Sequence, residues 1–101
     1  MLNYLLKSIE AGDYLLTGHA REEMMEDNLT LAEIVASVRR GEIIEDYPTD
    51  FPFPSSLIFG TSQKNDPIHS VWAYDERSEL AILITVYRPD PGRWVEFRTR
   101  R

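Results

Sequence analysis

The sequence contains no cysteine, which excludes a disulfide framework, a thiolate metal site and a thiol nucleophile. It also lacks a long hydrophobic run, since the longest, Leu80 to Tyr87, is far shorter than the roughly 18 residues that cross a membrane. Residues 1–10 include Lys7 and Glu10 in an amphipathic pattern with no small-residue cleavage site, which is unlike a secretory signal. We therefore expect a cytoplasmic protein that does not associate with membranes.

Glycine is scarce and scattered, and Gly60 stands alone. The sequence has no glycine-rich phosphate loop, no nucleophile elbow and no dinucleotide fingerprint. These absences exclude the common nucleotide-binding and serine-hydrolase motifs, and no cofactor is expected.

Basic residues are in the minority, and their distribution is uneven. The net charge is −6 with a pI near 4.8, which argues against a generic nucleic-acid binder. Residues 88–101 nevertheless hold five arginines against Asp90 and Glu96, a net charge of +3, whereas residues 1–87 hold six basic and fifteen acidic residues, a net charge of −9. The basic tail is either a solvated terminus or an anion-binding surface, and both interpretations remain open.

Apolar residues make up 43% of the 101 residues, which is enough to form the hydrophobic core of one domain. We therefore predict a single domain spanning residues 1–101. Three helical patterns come first. The first has the apolar stripe Leu2, Leu5, Leu6 and Ile9 and is ended by Gly12, the second runs from Gly18 or His19 to about Asp27, and the third begins at the cap Thr30 and ends before Gly41. The third is the best marked, because Thr30 and Glu33 form a capping box and Gly41 follows the last turn.

After Gly41 the apolar pattern becomes that of extended chain. Strands are predicted over Glu42–Tyr47, Ser56–Thr61, Ile68–Tyr74 and Leu80–Tyr87. Tyr14–Thr17 is interpreted as an extended link, and Trp94, Val95 and Phe97 as a tail that packs back on the body. The last strand is continuously apolar, as expected of a central strand covered on both faces. The predicted fold is α+β, with N-terminal helices on one face of an antiparallel sheet of about four strands.

Histidine is limited to His19 and His69, on different elements. Two imidazoles can supply the base and the acid for metal-free phosphodiester cleavage, and a tyrosine hydroxyl can replace either one. The developing phosphorane charge also needs cations. The candidate catalytic residues are His19, His69, Tyr87 and Arg88, and the candidate substrate-binding residues are Arg21, Thr85, Arg93 and Arg98.

Each of these side chains also has a purely structural interpretation. His19 could bond a loop carbonyl from the first turn of a helix, and His69 could be a satisfied core imidazole. Tyr87 could be a core residue with a hydrated hydroxyl. His19 and Glu23 share a helix face but lack a third ligand, so we predict no metal site.

The distance between His69 and Tyr87 depends on the register of the last two strands. If Asp75 pairs with Glu79, His69 lies opposite Thr85 with Tyr87 diagonal on the same face. A loop one residue longer moves Tyr87 to the other face.

Three stretches taken together resemble a known bacterial family. They are Thr17-Gly18-His19-Ala20 with Met24, Gly41-Glu42-Ile43-Ile44-Glu45-Asp46-Tyr47-Pro48, and Pro67-Ile68-His69 with Ile84-Thr85-Val86-Tyr87-Arg88-Pro89-Asp90. In this order they resemble the domain of unknown function 4258, from about Tyr14 to Trp94. The resemblance implies a small fold similar to RelE-like toxins and microbial ribonucleases such as barnase, often encoded beside an antitoxin-like small protein.

The resemblance also extends to individual residues. His19 matches the helix-start histidine of the family, His69 its strand histidine, and Thr85 and Tyr87 its last-strand pattern. Many relatives have arginines where this sequence has Glu23 and Asp27, and two acids there would repel phosphate.

The leading hypothesis is therefore a toxin-like, metal-independent endoribonuclease with an RNA substrate and an antitoxin-like partner. The alternative is a non-catalytic binding module whose acidic body pairs with a basic protein.

Overall fold

The computed structural model describes all residues from 1 to 101. The chain folds into three helices and seven strands. The helices are α1 (Leu2–Glu10), α2 (Gly18–Glu26) and α3 (Leu31–Arg39). The strands are β1 (Tyr14–Leu16), β2 (Glu42–Tyr47), β3 (Ser55–Thr61), β4 (Pro67–Asp75), β5 (Leu80–Tyr87), β6 (Trp94–Val95) and β7 (Thr99–Arg100). None of the helices has the length and apolarity that crossing a bilayer requires. The predicted α+β class is confirmed.

The main sheet has five strands in the order β1-β5-β4-β3-β2, one more than expected. The additional strand is the segment interpreted as a link, which pairs parallel to β5 from Tyr14 opposite Ala81 to Leu16 opposite Leu83. The sheet is therefore mixed rather than wholly antiparallel. A strand of three residues is too short to show a two-residue period, and its partner is distant in sequence, so local pattern could not reveal it.

All three helices pack on one face of this sheet. Their contact residues form a single core with Trp72 of β4 and Leu83 and Val86 of β5, all fully buried. Gly60 of β3 lies so close to α3 that an added Cβ would be 1.8 Å from the carbonyl oxygen of Ser37. That close approach requires glycine at this position.

The middle strand of the sheet is β4, and β5 lies between β4 and the short edge strand β1. In β5, Leu83 is fully buried whereas Ile82 and Ile84 are only half-buried. β5 thus has a strand on each side, as expected of a central strand, but its Leu83 face is covered more completely by the helices than its Ile84 face is by the hairpin. A continuously apolar sequence cannot distinguish the middle strand from its neighbour.

The second face of the sheet is partly covered by the C-terminal hairpin of β6 and β7. Trp94 is buried there against Leu57 and Val71, which confirms the prediction that the tail packs back on the body. The turn of this hairpin has φ of 51° at Glu96 and 61° at Phe97, closed by a hydrogen bond from the Arg98 amide to the Val95 carbonyl. Such left-handed conformations cost non-glycine residues about 1–3 kcal/mol each.

Replacing Leu83 by alanine tests this arrangement. Because Leu83 is fully buried between the helices and the sheet, Leu83→Ala should lower the free energy of unfolding by about 2–5 kcal/mol. Ile84→Ala removes a half-buried side chain and should cost less. Urea denaturation of both variants measures the difference, and equal losses would contradict the assignment of the two faces.

Candidate active site

A β-bulge in β5 brings His69 directly opposite Tyr87. The loop between β4 and β5 has four residues, with Asp75 opposite Leu80, and this register holds as far as Trp72 opposite Leu83. Ile84 is then an extra residue, so that Val71 pairs with Thr85 and His69 pairs with Tyr87. Neither register considered from the sequence is correct along the whole strand, because turn length cannot reveal a bulge inside the ladder.

The His69 imidazole is fully buried and both of its nitrogens are hydrogen-bonded. Nε2 lies 2.7 Å from the carbonyl oxygen of Phe97, and Nδ1 lies 3.1 Å from the hydroxyl of Tyr87. A carbonyl can only accept, so Nε2 carries the proton and, in the neutral ring, Nδ1 accepts from the Tyr87 hydroxyl. Burial lowers the pKa of His69 below its usual 6.5, which favours this neutral form.

Aromatic rings enclose the imidazole. Trp94 meets it edge to face at 4.5 Å between ring centroids, and Phe59 meets it at 5.7 Å. The His69 ring itself has no exposed surface, and its two hydrogen-bond partners, Tyr87 and Phe97, are both half-buried. Burial raises the pKa of the Tyr87 hydroxyl.

Tyr87 lies in an open cleft of about 610 Å³ that concentrates the arginines of the C-terminal segment. Its lining comprises Tyr87, Arg88, Asp90, Gly92, Arg93, Trp94, Arg100 and Arg101. With four guanidinium groups and one carboxylate in its lining, this arginine cleft is a basic concave surface on an otherwise acidic protein. Such a surface attracts phosphate groups.

Arg100 is held in place by a two-point contact with Glu45. Its Nε lies 2.8 Å from one carboxylate oxygen and its Nη2 lies 3.0 Å from the other. The guanidinium also stacks over Trp94 at 4.7 Å. Arg100 lowers the pKa of Glu45, and the Tyr47 hydroxyl, which bonds the same carboxylate, has its pKa raised to about 12, mainly by burial. The Arg100 guanidinium is therefore held in position by contacts within the protein.

The remaining arginines of the cleft differ in how many hydrogen bonds their side chains make to the rest of the protein. Arg93 makes no side-chain hydrogen bond or ion pair, and Arg101 donates from Nε to the Pro91 carbonyl at 2.9 Å. Arg88 donates from Nε to the carbonyl of Asp27 at 2.9 Å and from Nη2 to that of Asn28 at 3.2 Å. Arg88 thus completes the C-terminal end of α2 while lining the cleft.

A second cluster of polar side chains lies where β1 ends and leaves the edge of β5 without a partner strand. Glu23 of α2 accepts hydrogen bonds there from the Thr85 hydroxyl and from the Val86 amide at 3.1 Å, and its carboxylate lies 3.1 Å from His19 Nε2. One helical turn later, the Asp27 carboxylate accepts from the Arg88 amide at 2.9 Å. The two acids that depart from the family pattern therefore each accept a backbone amide along an exposed strand edge.

The candidate residues named from the sequence are thus divided between locations. Tyr87, Arg88 and Arg93 meet at the arginine cleft with His69 directly behind it. His19 and Thr85 meet at Glu23 instead. Arg98 pairs with Glu42 and stacks on Phe59, and Arg21 lies beside exposed Met25 on α2. No three His, Asp or Glu side chains are arranged to hold a metal ion.

Four contributors to the site escaped sequence reasoning: Glu45, Trp94, Phe97 and Arg100. The Phe97 contribution is a backbone carbonyl, which has no sequence signature. A weak signal existed for the ion pairs, because Arg98 and Arg100 lie two residues apart in the basic C-terminal segment and Glu42 and Glu45 lie three apart in a predicted strand.

The buried His69 should make stability depend on pH. Its folded pKa lies below 6.5, so the unfolded chain binds more protons in the interval between the two values. The free energy of unfolding should therefore be highest above about pH 6.5 and fall as the pH drops through the folded pKa. Denaturant melts from about pH 7.5 to about pH 5 measure this slope, which His69→Gln should flatten. An unchanged slope in that variant would contradict the assignment.

Comparison with known proteins places the chain in a family without assigning an activity. No curated protein and no solved structure matches it. The expected likeness to RelE and barnase therefore stays a prediction. The sequence model described as Domain of unknown function (DUF4258) matches residues 16–88, from the end of β1 to the residue after β5. Because this match covers most of the sequence, the chain belongs to the DUF4258 family.

Proposed function

We propose that this protein is a toxin-like, metal-independent endoribonuclease that binds the RNA backbone in the arginine cleft. The observation that supports this is the Tyr87 hydroxyl, which lies in a cleft of four arginines and donates to a buried, neutral His69. A hydroxyl backed by an imidazole acceptor is a route for a proton. Arginines around it match a phosphate that gains charge in the transition state.

The proposed reaction is attack of a ribose 2′-oxygen on the adjacent phosphorus. The 2′-hydroxyl passes its proton to the Tyr87 oxygen as the Tyr87 proton moves to His69 Nδ1. The imidazolium is then stabilised by the Phe97 carbonyl at Nε2, while the charges of Glu45 and Arg100 act on it in opposite directions. Arg93, Arg100 and Arg101 stabilise the phosphorane. The P–O bond to the 5′-oxygen breaks, and that oxygen takes up a proton.

His19 is the proposed donor of that second proton. Its side chain is 66% exposed and contacts Glu23, which in turn bonds Thr85, two residues before Tyr87 on β5. His19 lies outside the lining of the cleft. Because His19 would reach the leaving oxygen from outside the cleft, we expect its replacement to cost less activity than that of His69.

The antitoxin-like partner belongs to the same proposal. Exposed guanidinium groups such as that of Arg93 would bind an acidic segment as well as a phosphate backbone. An occupied cleft would exclude RNA, which is the simplest way for a partner to silence the activity.

A non-catalytic binding module remains the second candidate. It is favoured by the complete hydrogen bonding of His69, whose 0% exposure is also what a purely structural imidazole shows. In that case the acidic body would bind a basic partner, and RNA would not be cleaved.

Cleavage of a labelled single-stranded RNA in the presence of a metal chelator distinguishes the two candidates. Tyr87→Phe keeps the ring and removes the proton carrier, so it should lower the cleavage rate by about 10²–10⁴-fold. Tyr74→Phe is the matched control. Because Tyr74 stacks on Tyr4 away from the cleft, this change should leave the cleavage rate unaltered. Intact RNA with the wild-type protein, shown to be folded, would reject the nuclease.

Binding to the same RNA tests the cleft separately. Arg93→Gln combined with Arg101→Gln should weaken binding and reduce its salt dependence by about two charges. Arg40→Gln, which removes an arginine at the end of α3 outside the cleft, is the matched control. Equal affinity in all three proteins would mean that the cleft is not the RNA site.

A further inference from the structure

The turn of the C-terminal hairpin adopts a conformation that its own residues disfavour. Glu96 and Phe97 both have positive φ, the conformation of a type I′ turn, which is normally formed by asparagine and glycine. Exposed Glu96 uses its side chain for no hydrogen bond. Local sequence preference therefore does not explain the turn, and the surrounding structure must impose it.

Contacts on both sides of the turn hold it against the sheet. Before it, Trp94 is buried between Leu57 and Val71. After it, Arg98 pairs with Glu42 and Arg100 pairs with Glu45, both on the edge strand β2. The hairpin is thus anchored at both ends, and its tip is forced toward β4.

The tip presents a single backbone group to the interior, the Phe97 carbonyl. This oxygen lies 2.7 Å from His69 Nε2 and is the only partner of that nitrogen. Without it, the imidazole proton could move to Nδ1 and donate to the Tyr87 oxygen. Tyr87 would then have to turn its own proton away, and the route from Tyr87 to His69 would be lost.

We propose that the Glu96–Phe97 turn is a positioning element that fixes His69 in the Nε2–H tautomer and keeps Nδ1 ready to receive the Tyr87 proton. Its catalytic meaning rests on the proposed function, whereas the tautomer itself does not. Glu96 and Phe97 act through His69 and need not touch the substrate.

The tautomer can be measured on the full chain by the ¹⁵N and ¹³C chemical shifts of the His69 ring. Wild-type protein should show the Nε2–H form alone. Glu96→Pro forbids positive φ and should withdraw the Phe97 carbonyl, giving a mixture of tautomers. Glu96→Gly permits positive φ and should retain the wild-type tautomer, which makes it the matched control.

A milder pair of variants covers the case in which Glu96→Pro disorders the whole hairpin. Phe97→Val places a β-branched residue where φ is positive, and Phe97→Asn places a residue that tolerates it. Both remove the aromatic ring equally. Only the valine variant should therefore shift the tautomer, and its RNA cleavage should fall about 10–100-fold below that of the asparagine variant, as for other partners that orient a functional histidine.

The two proposals fail in different ways. Absence of RNA cleavage by the wild-type protein would reject the nuclease and leave the ring shifts unaffected. An Nδ1–H or mixed tautomer in the wild-type protein would overturn the positioning role. So would an unchanged Nε2–H tautomer in both Glu96→Pro and Phe97→Val, whatever the activity.

Discussion

The two hydrogen bonds of the His69 imidazole connect three parts of the chain that are far apart in sequence. Nδ1 joins β4 to the end of β5 at Tyr87, and Nε2 joins β4 to the C-terminal turn at Phe97. A buried polar group left without a partner costs about 1–3 kcal/mol, so the ring stabilises the fold only while both contacts exist. The register of β5 and the path of the tail are therefore constrained by one side chain.

The net charge of the protein is a poor guide to anion binding at the cleft, because several acidic side chains are engaged in intramolecular hydrogen bonds and ion pairs. Glu23 and Asp27 accept backbone amides at the free edge of β5, and Glu42 and Glu45 anchor the hairpin through Arg98 and Arg100. Glu42 and Glu45 are each paired with an arginine, and none of the four carboxylates lines the cleft. The local field at the cleft depends on Arg93 and its neighbours, and an overall charge of −6 does not preclude it.

The sequence revealed the long elements well and the site only in part. The capping box at Thr30 is present as predicted, and β5 begins and ends where its apolar run does. Strand β1 was missed because three residues show no period. The bulge at Ile84 was missed because it depends on packing across the sheet, and that one residue decides whether His69 faces Tyr87.

The segment matched by the family model ends at residue 88, yet the site is completed beyond it. The matched segment supplies His69, Tyr87 and the edge-closing Glu23. Arg93, Trp94, Phe97 and Arg100 all follow and form the wall of the cleft, the cover of the imidazole and the acceptor for Nε2. Without the hairpin, His69 would lie on an open sheet face, solvated and free to exchange tautomers. The matched domain therefore provides a Tyr–His pair, and the C-terminal hairpin gives that pair its buried setting, its proton direction and its cations.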